Sequence, residues 1–289
     1  MNPAIEEMLA KYNCYSREDY ENALKEIIQE IALLGLWRSK FFEHAAFYGG
    51  TALRIFYGLD RFSEDLDFSL LQSKSDFSLE LYLSAIKEEL SGLDFDVEIA
   101  ERNKNVESNI DSAFIKAGTK EHLIKIDIPK EMVSRIARND KLKIKLEVDV
   151  NPPGGFLTEA KMLLLPAAFS VTIYRQPDIF AGKVHAILHR PCKQGRVKGR
   201  DFYDFVYFIA RKIPVRLEHL RQRLIQTGSW DADASLTIDD LKEMLRRKFE
   251  TVDLSLAKTD VMQFLKNPMS VDLWSKAFFL ALVDQLEVN

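Results

Sequence analysis

The sequence predicts an α+β fold that gives way to an all-helical portion, on three observations. Short apolar runs at strand spacing recur up to residue 175, and helical spacing takes over from Pro177. The strongest break in the chain, Asn151-Pro152-Pro153-Gly154-Gly155, falls just before that change. The reading is therefore a mixed-sheet domain with N-terminal helices over 1–175 and a helical domain over 176–289. A length of 289 residues agrees with two domains at roughly 100–200 residues each.

The elements follow in order. Ser16 caps a helix over 17–34, with Asp19 three residues on and Leu24, Ile27, Ile28, Ile31 and Leu34 on one face. Ala45–Tyr48 is a short apolar segment that runs into Gly49-Gly50. Thr51–Tyr57 reads as a helix, Gly58–Glu64 as a loop, and Asp65–Leu71 as a strand with Leu66, Phe68 and Leu70 on one face. Ser75 or Asp76 caps a helix over 77–91. Strands are expected at 93–100, 110–117, 122–128, 143–150 and 169–175, and helices at 177–189, 201–212, 214–226, 237–249 and 270–286.

Composition narrows the class. At 47% hydrophobic there is material for a core, and 29% charged residues of both signs exclude global disorder. The net charge of −4 means that any nucleic-acid contact has to come from a local basic patch. Cys14 and Cys192 have no motif spacing, which fits a reducing compartment. The acidic start has no basic n-region or apolar h-region, and the longest apolar runs, 162–169 and 277–283, fall short of the ~18–20 residues that span a bilayer. A cytoplasmic protein without membrane contact is expected.

The chemistry concentrates at 47–71. Asp65 and Asp67 are two apart on a strand, so their side chains share a face, about 6.5–7 Å apart at Cα. Hard oxygen donors converging from one surface suit divalent metals. Gly49-Gly50-Thr51 leads a strand into a helix, where bare backbone N–H groups can hold a phosphate. A third carboxylate is available from KLKIKLEVDV over 141–150, where Glu147 and Asp149 lie opposite Leu146 and Val148; a solvated charged face is the plain alternative. Downstream, Lys183 falls inside the apolar arc of its helix, between Ile179 and Ile187, either snorkelling to water or facing a polyanion. Asp201 lies between Phe205 and Phe208 in the same way, either as an N-terminal cap or as a partner that holds Lys183, whereas Asp204 lies on the polar side with Arg211. The loop 189–200 carries Arg190, Lys193, Arg196, Lys198 and Arg200, either as solvated surface or as a contact for triphosphate or RNA backbone. The five histidines show no metal spacing.

The string GGTALRIFYGLDRFSEDLDF resembles the AbiEii/AbiGii-type toxin family of nucleotidyltransferases, whose motif here comprises Gly49, Gly50, Thr51, Arg61, Ser63, Asp65 and Asp67. KIKLEVDV, FAGKVHAILHR and KGRDFYDFVYF are similar to that family's later motifs, in the family's order, so that the resemblance spans roughly 45–210. It implies a nucleotidyltransferase-like, polymerase-β-type domain whose activity depends on NTP and two Mg²⁺. Asp65 and Asp67, with Glu147 or Asp149, then hold the metals. Gly49, Gly50 and Thr51 meet phosphate oxygens, with Ser63 in the same motif, and Arg61 adds charge or fixes its loop. Lys183, held by Asp201, faces the β- and γ-phosphates. The resemblance further implies a bacterial toxin with a cognate antitoxin, in toxin–antitoxin or phage defence, and tRNA or another RNA as acceptor. The rival readings are a catalytically silent relative that binds nucleotide or RNA, and a metal-dependent phosphohydrolase.

Overall fold

A computed structural model describes residues 2–101, 109–125, 139–190 and 197–289. Two compact units emerge, and neither follows the chain continuously. The first comprises Met1–Thr51, Glu64–Pro152 and Ala160–Ile173, and the second Ala52–Ser63, Pro153–Glu159 and Tyr174–Asn289. The sequence boundary at 175/176 thus leaves out two earlier segments that group with the C-terminal helices.

The first unit is built on a mixed seven-stranded sheet of order β3-β4-β5-β2-β1-β7-β6. Its strands are β1 (Ala45–Tyr48), β2 (Leu66–Leu70), β3 (Val97–Glu101), β4 (Ile110–Gly118), β5 (Lys141–Asp149), β6 (Thr158–Leu163) and β7 (Phe169–Tyr174). At the centre, β2 runs antiparallel to β1 and parallel to β5. Helices α1 (Pro3–Leu9), α2 (Arg17–Arg38) and α4 (Glu80–Gly92) belong to this unit, and α3 (Gly49–Tyr57) begins in it. The α2 terminus forms as its sequence dictates: the Asp19 amide donates to Ser16 Oγ at 3.2 Å, and the Asp19 carboxylate accepts from the Ser16 amide at 2.9 Å. A cap of this kind is worth about 1 kcal/mol. The buried stripe of α2 is longer than the sequence suggests, running to Leu36.

Where the sequence reads a strand over 122–128, the structure has helix α5 (Thr119–Lys125), with 126–128 outside the described residues. The local alternation loses to tertiary partners. His122 bonds the Gly118 carbonyl at 2.6 Å, accepts from the Asp96 amide at 3.2 Å and stacks on Phe95, which a strand would prevent. Strand β6 and helix α1 are six and seven residues long, too short for their apolar residues to establish a period.

The second unit contains α6 (Gln176–His189), α7 (Gly199–Ala210), α8 (Leu217–Gln226), α9 (Ile238–Thr251), α10 (Leu254–Met262) and α11 (Lys276–Asp284). Phe202, Phe205, Phe249 and Phe279 form an aromatic cluster among α7, α9 and α11. Instead of one helix over 270–286, a 3-10 turn (Pro268–Val271) is followed by α11, because Ser275 caps a new start by accepting from the Phe278 amide. Among the described residues no helix is long and apolar enough to cross a membrane.

Candidate active site

In the first unit the glycine turn and the carboxylate strand are packed against each other. β1 passes directly into α3 at Gly49, which has φ +85°, and a Cβ there would lie 2.5 Å from Asp67 Oδ2. Only glycine meets both demands, the left-handed backbone and the carboxylate pressed against it. Thr51 is fully buried, and its hydroxyl donates to the Asp65 carbonyl, tying the turn to the start of β2. From the other side, α2 fixes Glu64: Lys25 Nζ lies 3.2 Å from its carboxylate, and Gln29 donates to its carbonyl at 3.0 Å.

Asp65 immediately precedes β2, and Asp67 lies within it; both are half-buried, while Leu66 and Phe68 are wholly in the core. The parallel register sets Glu147 of β5 beside Asp67, and Asp149 beside Ser69. Residues at one level of paired strands point to one face, so Asp67 and Glu147 are neighbours on the sheet. Lys145 lies 2.5 Å from Glu147, and Asp149 accepts from the Asn151 amide at 3.0 Å, capping the turn after β5. Register thus separates two residues that alternation could not distinguish. Among the described residues no three His, Cys, Asp or Glu side chains are grouped so as to hold a metal. The donors are nevertheless of the right kind for Mg²⁺, which takes one or two carboxylates and completes its shell from water and substrate phosphates rather than from an all-protein cage.

In the second unit, charges gather on α6, α7 and the 52–63 segment. Arg61, 1% exposed, makes a two-pronged contact with Asp204, Nε to Oδ1 at 2.6 Å and Nη2 to Oδ2 at 2.7 Å. Its Nη1 donates to the Phe62 carbonyl at 2.9 Å. Lys183 Nζ lies 2.8 Å from Asp204 and 3.4 Å from Asp201, and Arg190 also pairs with Asp201. Burial would raise the Asp204 pKa, but Arg61 and Lys183 outweigh it and hold the carboxyl below its usual range. Lys198, nearby, is pushed down by burial and by Arg190. Ser63 is half-buried on its loop.

Asp204 corrects the helical-wheel expectation. It is fully buried rather than on a polar side, since its partners come from elsewhere in the chain. The signal was available: Asp201 and Asp204 are three apart on a helix, so they share a face, and Arg61 was a cation in need of a partner. Gly199 opens α7 where a Cβ would lie 1.8 Å from the Ala257 carbonyl oxygen of α10, and its amide donates to Asp260 at 2.9 Å. Lys193, Arg196 and Cys192 lie outside the described residues.

Comparison with known proteins places the chain in a family. The model of the nucleotidyl transferase AbiEii toxin, type IV toxin–antitoxin system, matches residues 31–280. No curated protein matches the chain. Among solved structures, the chain is similar to JHP933 from Helicobacter pylori, with 18% identity, TM-score 0.48, and 91% of this chain and 88% of that one covered. It is also similar to a putative nucleotidyltransferase from H. pylori, with 17% identity, TM-score 0.47, and 90% and 89% covered. With the family match running through the glycine turn, the Asp65–Asp67 strand and the Lys183 and Asp201 helices, this chain belongs to the AbiEii nucleotidyl transferase toxin family of type IV toxin–antitoxin systems.

Proposed function

We propose that the protein transfers NMP from an NTP to an acceptor hydroxyl, as the toxin of a pair with a cognate antitoxin. The observation that carries this reading is the register that sets Glu147 beside Asp67, against the glycine turn at Gly49. Asp65, Asp67 and Glu147 are the residues that would hold Mg²⁺, and Asp149, engaged with the Asn151 amide, is the weaker third candidate. When bound, Mg²⁺ supplies charge neutralisation at the phosphates and a lowered pKa for an attacking hydroxyl. Backbone N–H groups of Gly50 and Thr51 serve phosphate oxygens, since the Thr51 hydroxyl is committed to Asp65. Lys183 is assigned the growing negative charge on the leaving pyrophosphate. Arg61, sequestered by Asp204, fixes its loop instead of meeting substrate.

Incubation of the protein with each labelled NTP, Mg²⁺ and total RNA tests the reading. Label on RNA, with tRNA the first fraction to inspect, or on protein is the expected result. Free NMP or phosphate would make the protein a phosphohydrolase, and nucleotide retained without turnover would make it a silent binder.

A further inference from the structure

The sheet face that carries Asp67 and Glu147 continues outward over β5, β4 and β3, and its side chains fall into rows. Antiparallel register aligns Glu98, Lys116 and Lys143 in one row, and Ala100, Phe114 and Lys145 in the next. Ser112 and Glu147 follow, level with Asp67. The alternation assigns these residues to one face, because Ala113, Ile115 and Ala117 between them are buried in the core.

Two features of this face call for a ligand. Lys116 and Lys143 are directly opposed across β4 and β5, a like-charge pair that weakens a sheet unless an anion bridges it. Glu98 is shared between Lys141, at 2.8 Å, and Lys116 directly opposite it, and Lys145 takes up Glu147 at 2.5 Å, so Lys116, Lys141 and Lys143 meet a single carboxylate and positive charge is in surplus. Beside them Phe114 is half-buried instead of core, and Ile110 on the same face is 45% exposed. Ammonium groups interleaved with an aromatic ring on a sheet match the needs of a nucleic-acid strand, phosphates on the lysines and a base on the ring. A merely acidic partner would have no use for Phe114.

We propose that the β3–β4–β5 face binds single-stranded nucleic acid, with Lys116 and Lys143 on its phosphates and Phe114 stacked on a base. The Phe114 row lies two residues, about 7 Å, from the Asp67–Glu147 row, so a strand lying here presents its end to the carboxylates. This deepens the transferase reading by assigning a nucleic-acid acceptor a face of the sheet, and it rests on that reading only for what is done to the strand.

The test is fluorescence polarisation of the full chain with labelled 12-mer oligouridylate and oligothymidylate, without NTP and with chelator. Both probes bind, with similar affinity, since phosphate and base face are common to them. Phe114→Leu, which keeps apolar bulk but cannot stack, weakens binding about 5- to 100-fold, and Phe114→Trp retains it. Lys116→Ala with Lys143→Ala lowers the slope of log Kd against log salt by about 1.4, at ~0.7 per lost phosphate contact, while the melting temperature holds or rises because a repulsive pair is gone. Wild-type affinity in Phe114→Leu, or an unchanged salt slope in the lysine variant, overturns the proposal. Binding without NMP transfer would sink the transferase reading and leave this one standing; transfer to RNA without binding would do the reverse.

Discussion

The carboxylates of the two units are held in opposite ways. On the sheet, Asp67 and Glu147 stand side by side, half-buried, like charge next to like charge. On α7, Asp201 and Asp204 are 3% and 0% exposed, surrounded by Arg61, Lys183 and Arg190. The first arrangement sets two acids side by side, with Lys145 2.5 Å from Glu147, and the second surrounds two acids with three cations. Adjacent, half-buried carboxylates suit a cationic ligand, and neutralising one of them relieves their mutual repulsion. A compensated cluster holds the fold together, and what it offers a substrate is its surplus positive charge.

The largest effect expected from breaking this contrast is on activity. Asp67→Asn should reduce NMP transfer to background while the melting temperature stays the same or rises, because a repulsive neighbour of Glu147 is removed. Glu147→Gln should follow closely, and Asp149→Asn should cost less, since Asp149 is level with Ser69 rather than Asp67. Equal losses at 147 and 149, measured at saturating Mg²⁺, would show that register does not choose the ligand.

The second effect is on stability. Asp204→Ala leaves the buried Arg61 without its carboxylate and the half-buried Lys183 with Asp201 alone, at a cost of about 3–5 kcal/mol in urea unfolding. Replacing the pair together, Arg61→Met with Asp204→Leu, should restore much of that, because an apolar pair of similar volume removes the desolvation penalty. A double variant as unstable as the single one would mean that Asp204 acts mainly through Lys183.

The smallest effect sharpens the comparison inside the first unit. Glu30 on α2 is a buried carboxyl with weak compensation: Lys11 lies 3.7 Å away, and burial raises the pKa from 4.5 to about 7. A carboxyl raised on folding binds its proton more tightly in the native state. The Glu30 contribution to stability is therefore greatest below about pH 4.5 and falls as pH rises toward 7, by on the order of 3 kcal/mol. Glu30→Gln should flatten that part of the stability–pH profile and stabilise the protein at pH 8. A profile identical to wild type would mean that Glu30 is charged in the fold at neutral pH.

Much of this was legible in the chain. Gly49-Gly50-Thr51 before Asp65-Leu66-Asp67 identified the turn and the strand, and Ser16 with Asp19 identified the start of α2, because each depends on neighbours within a few residues. The strict alternation of Lys143–Val150 gave β5 its face for the same reason. The sequence by itself therefore determined the α+β class and the family, and it put forward the two aspartates that the proposed function uses. Only the tertiary structure decided that Glu147 is level with Asp67, that Asp204 rather than Asp201 has the shorter contact with Lys183, and that 119–125 is helical. Those outcomes rest on partners 18 to 143 residues away, such as Arg61 for Asp204, and on which strands lie side by side. Periodicity reports which face a residue occupies; what meets it across that face is set by the packing of distant segments.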